Sequence, residues 1–268
     1  MKNILQKIIA DKRIEIAEQK KLVSIDSLKG QIVGLDKCRN FFKAVTKKNP
    51  RGVNVIAEVK KASPSAGVIR ENFDPVEIAK IYESCGADAI SVLTDEKYFQ
   101  GRLEYLTAVK QAVSIPVLRK DFIVDEYQIY QAHVAGADAI LLIAEAFTPT
   151  DGKLVDLMIL ANELSLTVLL EVHSADSLLS VRSLAGFPKA NYSIIGVNNR
   201  NLTTMEVDIN NAVRMAELVD GPFIAESGIK TKADVDKVIA AGASAILIGQ
   251  SLCESDDIGG AFNELFSR

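Results

Sequence analysis

Eight short apolar runs, several ending on a polar residue, constrain this chain more than any other feature. They finish near residues 60, 94, 120, 143, 172, 198, 226 and 249. The runs are rich in Val, Ile and Leu and apolar at successive positions, as in Ala139-Ile140-Leu141-Leu142-Ile143. That is the pattern of strands covered on both faces. Helical stretches lie between them, for example Pro75 to Ser84, where Asp74 is a good N-cap and Pro75 a good first helical residue.

A repeat supports the same plan. Cys85-Gly86-Ala87-Asp88-Ala89-Ile90, Ala135-Gly136-Ala137-Asp138-Ala139-Ile140 and Ala241-Gly242-Ala243-Ser244-Ala245-Ile246 are copies of one junction. Each places glycine just past a helix, where a left-handed C-cap is favoured, and then opens a strand. Eight strands alternating with helices predict an α/β chain folded as a single (β/α)8 TIM barrel with right-handed crossovers. An open doubly wound sheet is the runner-up, disfavoured because no G-x-G-x-x-G follows the first strand. Residues 1–268 are expected to form one domain, with 1–50 as an N-terminal helical extension. There Ile4, Leu5, Ile8, Ile9, Ile14 and Ile16 follow helical spacing with charges between them, which suits either packing on the barrel's outside or floor, or a lid beside its open end.

Bulk properties narrow the partners. A net charge of -4 argues against general nucleic-acid binding but not against a local cradle for an anionic small molecule. Cys38, Cys85 and Cys253 are few, odd in number and widely spaced, as in reduced thiols rather than disulfides or a zinc site. No signal-peptide core and no membrane-length apolar stretch is visible, so a cytoplasmic location is expected.

The polar strand ends carry the chemistry. Glu58 and Lys60 share one strand face, and Lys120, Glu171, Asn198 and Glu226 end other strands. Buried without partners such groups are costly, and parallel α/β folds gather them into an active site at the carboxyl ends of their strands. Lys60 and Lys120 suit a cation, a proton donor or a Schiff-base nucleophile, and Glu58 and Glu171 an acid or a base. Arg200 is either a ligand-binding cation or a surface cap. The loops Glu226-Ser227-Gly228-Ile229 and Gly249-Gln250-Ser251-Leu252, after the seventh and eighth strands, suit backbone binding of a phosphate. The turn-prone loop Lys61 to Gly67, with Ser63, either adds a third wall or simply connects. Phe99 and Phe122, just beyond two strand ends, suit an apolar wall for a ring. His133 and His173 lack a third ligand at useful spacing, so no metal site is expected.

At these residues the chain resembles the indole-3-glycerol phosphate synthase family. The resemblance rests on Ile56-Ala57-Glu58-Val59-Lys60-Lys61-Ala62-Ser63-Pro64-Ser65, Thr94 to Phe99, Leu118-Arg119-Lys120-Asp121-Phe122, Leu170-Glu171-Val172-His173, Asn198-Asn199-Arg200-Asn201-Leu202 and Ala225-Glu226-Ser227-Gly228-Ile229. The N-terminal Ile4 to Lys12 is also similar to that family's extra helix, so the likeness spans essentially the whole chain. It implies ring closure of 1-(2-carboxyphenylamino)-1-deoxyribulose 5-phosphate to indole-3-glycerol phosphate with loss of carbon dioxide and water. By resemblance Lys120 is the general acid, Lys60 holds the departing carboxylate, Glu171 and Glu58 are the acid–base carboxylates, and Asn198, Arg200 and Glu226 orient the substrate. Ser63, Ser227, Gly228, Gly249 and Gln250 would hold the sugar and phosphate, and Phe99 and Phe122 the ring. No cofactor or metal, no nucleic acid and no membrane is implied; the partner is a phosphosugar small molecule, and protein partners are unspecified. Two departures stand out. Position 62 is Ala where some relatives carry a basic residue, and the chain has no tryptophan. The rival readings are a Schiff-base aldolase of the same barrel type and a non-catalytic sensor of a phosphorylated ligand.

Overall fold

The structure is a computed structural model that describes residues 4–148, 150–201 and 204–267. β1 (Asn54–Val59) leads into a small antiparallel hairpin, β2 (Ala62–Ser63) and β3 (Gly67–Val68). Then come β4 (Ala89–Leu93), β5 (Val117–Lys120), β6 (Ala139–Ile143), β7 (Thr167–Val172), β8 (Ser193–Asn198), β9 (Phe223–Glu226) and β10 (Ala245–Ile248). Leaving out the hairpin, these strands run parallel, and β1 pairs with both β4 and β10, so the sheet closes into an eight-stranded barrel. The barrel and its N-terminal helical extension follow the plan expected from the alternating runs.

Three helices precede the barrel: α1 (Ile4–Leu22), α2 (Ile25–Ile32) and α3 (Phe41–Thr46). The crossovers carry α4 (Pro75–Ser84), α5 (Glu96–Phe99), α6 (Leu103–Ala112), α7 (Glu126–Val134), α8 (Lys153–Glu163), α9 (Ala175–Val181), α10 (Asn210–Ala216) and α11 (Lys232–Ala240). Last come the short α12 (Gln250–Cys253) and α13 (Ile258–Phe266). Asp74 caps α4 as expected, accepting from the N–H groups of Val76 and Glu77 at 2.9 and 3.1 Å.

Buried apolar side chains form two clusters, one between the strands and the surrounding helices and one inside the barrel. Ile56, Ala89, Leu118, Ala139, Leu169, Ile194, Ile224 and Ala245 pack inside the barrel with Phe41 and Val45 of α3. The amide of Asn54, at the entry to β1, donates to the carbonyls of Val45, Lys47 and Ser244 at 2.9–3.1 Å. Helix α3 therefore plugs the amino-terminal end of the barrel, its floor.

The repeated junctions close that floor. Gly86, Gly136 and Gly242 take φ of 89°, 89° and 90°, the left-handed conformation predicted for each. The buried Asp88 carboxylate accepts the Val55 N–H at 2.9 Å and pairs with Lys47 and Arg51, each at 2.8 Å. Asp138 repeats the device on Val117 N–H at 2.8 Å and pairs with Lys110. In the third copy the Ser244 hydroxyl donates to Phe223 O at 2.9 Å instead.

Helix α1 lies at the opposite end, beside the mouth. It buries Leu5, Ile8, Ile9, Lys12 and Ile16. Ile14, counted in the apolar stripe by sequence, is 65% exposed. It stands two residues from Lys12, about 200° around the helix, and so faces solvent. The extension thus serves both ends, α3 at the floor and α1 at the mouth. Among the described residues no helix is long and apolar enough to cross a membrane.

Candidate active site

A cavity opens at the carboxyl ends of the barrel strands, enclosing roughly 950 Å³ of empty space including its mouth. Every site residue named from the sequence lines it: Glu58, Lys60, Ser63, Phe99, Lys120, Phe122, Glu171, Asn198, Arg200, Glu226, Ser227, Gly228, Gly249 and Gln250. Leu202, part of one motif, lies outside the described residues. Leu93, Leu141 and Ile143 add an apolar wall.

Lys120 stands at its centre. Its ammonium lies 2.9 Å from Glu171 Oε2 and 3.3 Å from Glu226 Oε2. Burial works against the charge on Lys120, but the carboxylates of Glu171, Glu226 and Glu58 outweigh it and lift its pKa above the usual lysine value. The amine is therefore held protonated. A carbonyl-attacking lysine must be neutral, so this arrangement disfavours the aldolase reading for Lys120.

The carboxylates are positioned one by one. Asn198 donates to Glu171 Oε1 at 3.0 Å, and its own oxygen accepts the Arg200 N–H at 2.9 Å. Glu226 Oε1 is buried and has no hydrogen-bond partner among the described residues. Burial raises the Glu226 pKa most, Lys120 opposes this, and Glu171 adds to it, so the group sits at about 8. Gly196, the inward residue of β8 that registers with Ile224, makes this packing possible: a Cβ there would stand 2.2 Å from Glu226 Oε1. Glu58 and Lys60, on the same face of β1 and its extension, form a close ion pair. Gly249 leaves room for it, since a Cβ at 249 would lie 2.8 Å from both Cβ and Oε1 of Glu58. Gly249 was expected only as a phosphate contact; its bareness also accommodates a carboxylate.

The two glycine loops meet on the far side. Ser227 and Gly228 both take positive φ, 65° and 78°, turning the backbone back towards the cavity. A side chain at 228 would collide with Val207, 2.5 Å from where its Cβ would stand. The Ser251 hydroxyl donates to Ile229 O at 2.7 Å, tying the loop after β10 to the loop after β9. The short helix α12 begins at this junction, its Leu252 and Cys253 N–H groups donating to Gly249 O at 3.1 and 2.9 Å. The loop after β1, left open between wall and connector, forms the β2–β3 hairpin and touches the opposite rim. There the Arg200 guanidinium lies 3.4 Å from the Ser65 hydroxyl and 3.3 Å from Met205 O. Arg200 thus reaches across the mouth instead of capping the outer surface.

Phe99 and Phe122 face one another with ring centroids 6.1 Å apart at 38°. The residue the sequence missed stands behind them. Lys12, treated as one of the helix's solvent-side charges, is 2% exposed. It pairs with Asp95 at 2.9 Å, Asp121 at 3.1 Å and Glu15 at 2.8 Å. The signal was present: 8, 12 and 16 are spaced by four, so Lys12 sits on the buried stripe itself. Helix α1 has no aromatic residue, and it joins the mouth through its buried aliphatic side chains and the Lys12 ion pairs. His133 lies near Cys38 at the floor, 3.7 Å away, while His173 pairs with Glu145 at 2.9 Å beyond β7, so the two histidines are at opposite ends.

Comparison with known proteins identifies the family. The model of the family described as indole-3-glycerol phosphate synthase matches residues 5–265. A protein of that name from Neisseria gonorrhoeae (strain NCCP11945) is 45% identical over 268 residues, covering 99% of this chain and 100% of the relative. One from Rhodopirellula baltica is 46% identical over 257 residues, covering 95% of each. Among solved structures, 3-hexulose-6-phosphate synthase from Salmonella typhimurium superposes with a TM-score of 0.63 at 14% identity, over 80% of this chain and 96% of that one. Thiamine phosphate pyrophosphorylase from Pyrococcus furiosus gives 0.55 at 16% identity, over 81% and 96%. At such low identity these two support the barrel alone. Matched along nearly its whole length by the family's model and by relatives of that name, the chain belongs to the indole-3-glycerol phosphate synthase family of enzymes.

Proposed function

We propose that the chain closes the indole ring of 1-(2-carboxyphenylamino)-1-deoxyribulose 5-phosphate, yielding indole-3-glycerol phosphate, carbon dioxide and water. The observation that carries this reading is the Lys120 amine held between two carboxyl groups, in a cavity with an aromatic wall on one side and glycine loops on the other. The substrate has matching parts: an aromatic carboxylate, a ketone and a terminal phosphate.

The phosphate rests on the backbone at Ser227, Gly228, Gly249 and Gln250, with Ser63 reaching from the hairpin. The ring packs against Phe99 and Phe122. The ring carbon bearing the carboxylate attacks the ketone carbon, and Lys120 delivers a proton to the ketone oxygen as charge develops there. Carbon dioxide then leaves, its bonding electrons restore the aromatic ring, and the Lys60 cation holds the carboxylate until that step. The new hydroxyl departs as water after protonation by Lys60. A carboxylate, Glu171 or Glu58, removes the proton from the carbon beside the nitrogen, completing the double bond. Asn198 keeps Glu171 aimed, and Arg200 and Glu226 orient the sugar. Side-chain cations and carboxylates carry each of these steps.

The test is a steady-state assay of the purified chain with this substrate, following indole fluorescence. The protein contains no tryptophan, so emission at indole wavelengths belongs to product. Turnover is expected. Tight binding without turnover would instead favour the ligand sensor.

A further inference from the structure

We infer that Lys12 of the N-terminal helix is a positioning residue that fixes Phe99 and Phe122 relative to one another as the wall against which the substrate's aromatic ring packs. This inference rests on the reaction proposed above.

Lys12 touches neither the cavity nor any group assigned to the chemistry; it acts through the two carboxylates it holds. Its ammonium bridges Asp95, which begins the loop after β4, and Asp121, which begins the loop after β5. Each aspartate in turn fixes the backbone that carries one ring. Asp95 Oδ1 accepts the Tyr98 N–H at 2.7 Å, capping α5, and Phe99 is the next residue. Asp121 Oδ1 accepts the Phe122 N–H at 2.8 Å. One buried cation therefore joins the two segments whose side chains form the aromatic wall.

The two loops are not equally dependent on it. Asp121 keeps other partners, Thr94 at 2.6 Å and Arg119 at 3.1 Å. Burial tends to raise its pKa, but Lys12 and Arg119 overcome this and hold the carboxyl at about 2. Asp95 has no cation besides Lys12 among the ion pairs of the described residues. Without Lys12 the two carboxylates face each other with only Arg119 nearby, on the far oxygen of Asp121. Like charges at close range in a buried site repel strongly. The α5 segment with Phe99 is the part free to yield. Helix α1 holds α5 at one further point, where Asp11 accepts from Lys97 at 2.8 Å, an exposed contact, and from the Tyr98 hydroxyl, a part-buried one that leaves the Asp95 charge unpaired.

The phosphate end of the cavity is built by β9, β10 and α12, and β1 stands between β10 and β4, so neither aspartate loop follows a strand that adjoins it. Loss of Lys12 should thus weaken recognition of the ring selectively. A residue that only fastened α1 for stability would lower the melting temperature without separating ring from phosphate.

The experiment compares wild type with Lys12→Met, Lys12→Arg and Asp95→Asn. Asn at 95 keeps the side-chain oxygen that caps α5 and removes only the charge, so it serves should Lys12→Met not fold. Steady-state constants are measured with the full substrate, and inhibition constants with 2-aminobenzoate and with glycerol 3-phosphate as ring and phosphate probes. For Lys12→Met, kcat/KM is expected to fall by on the order of 10- to 100-fold, mostly through KM, as for a misplacement of about 1 Å remote from the chemistry. 2-Aminobenzoate should weaken in parallel, while glycerol 3-phosphate stays within about twofold of wild type, the scatter expected of an uncoupled site. Lys12→Arg should recover most of the loss, and Asp95→Asn should show the same ring selectivity to a smaller degree. Equal weakening of both probes, or unchanged KM and probe binding beside a lowered melting temperature, would overturn the inference. Absence of turnover in wild type would remove the proposed reaction instead.

Discussion

The two ends of this barrel both bury carboxylates, and they treat them in opposite ways. At the floor, Asp88 and Asp138 accept strand N–H groups and are also paired with Lys or Arg. Each carboxylate closes one strand against the next. At the mouth, Glu171 and Glu226 share Lys120, and an oxygen of Glu226 has no hydrogen-bond partner among the described residues. Burial without satisfaction is destabilising, and it persists where the charges serve a ligand. Floor and mouth thus separate stability from chemistry within one fold, and substitutions at the two ends should separate them in measurement.

The largest effect is expected at the mouth. Glu171→Gln keeps the contact with Asn198 but removes the charge beside Lys120. Its kcat should fall by about 100-fold or more, the usual scale for a lost acid–base group, with little change in melting temperature. Asp138→Asn should do the reverse. It takes the charge from a fully buried carboxylate that accepts the Val117 N–H and pairs with the part-exposed Lys110, and should cost about 2 kcal/mol of folding free energy in denaturant titrations. Its activity per folded molecule should stay near wild type. An activity loss at Asp138 as large as at Glu171 would break the distinction.

Two smaller effects sharpen it. Gly249→Ala forces a methyl group against Glu58 and should cost about 1–3 kcal/mol by overpacking, together with a lowered kcat. Glu226 gives a pH signature. Its folded pKa is raised, so its contribution to stability is full below the ordinary carboxyl range and is lost as pH rises through about 8. Denaturation measured from pH 5 to 9 should show that slope, at most about 1.4 kcal/mol per pH unit for one proton, and Glu226→Gln should flatten it.

Much of this was legible in the sequence because period and punctuation are local. The glycine junctions fixed strand entries, and polar residues at strand ends marked the mouth. Other features depended on contacts distant in sequence. Asp88 and Asp138 sat in the repeat, but nothing local reveals that their carboxylates hold Val55 and Val117. Leu141 and Ile143 could not be assigned to the cavity, because β6 is apolar on both faces and alternation gives no direction. Gly196 looked like an ordinary strand residue until Glu226 was seen lying across it. Lys12 was misread because charge was weighed above position, whereas its three acidic partners come from two barrel loops and its own helix.

The most direct test of the account is the Lys120→Ala variant, with turnover and unfolding measured on the same preparation. The account predicts a kcat lower by at least ~100-fold, the scale of general-acid catalysis, with a cooperative transition close to that of wild type. A kcat near wild type would contradict the assignment of Lys120 as the acid. A collapse of stability together with activity would mean that the mouth, like the floor, is held together by its charges.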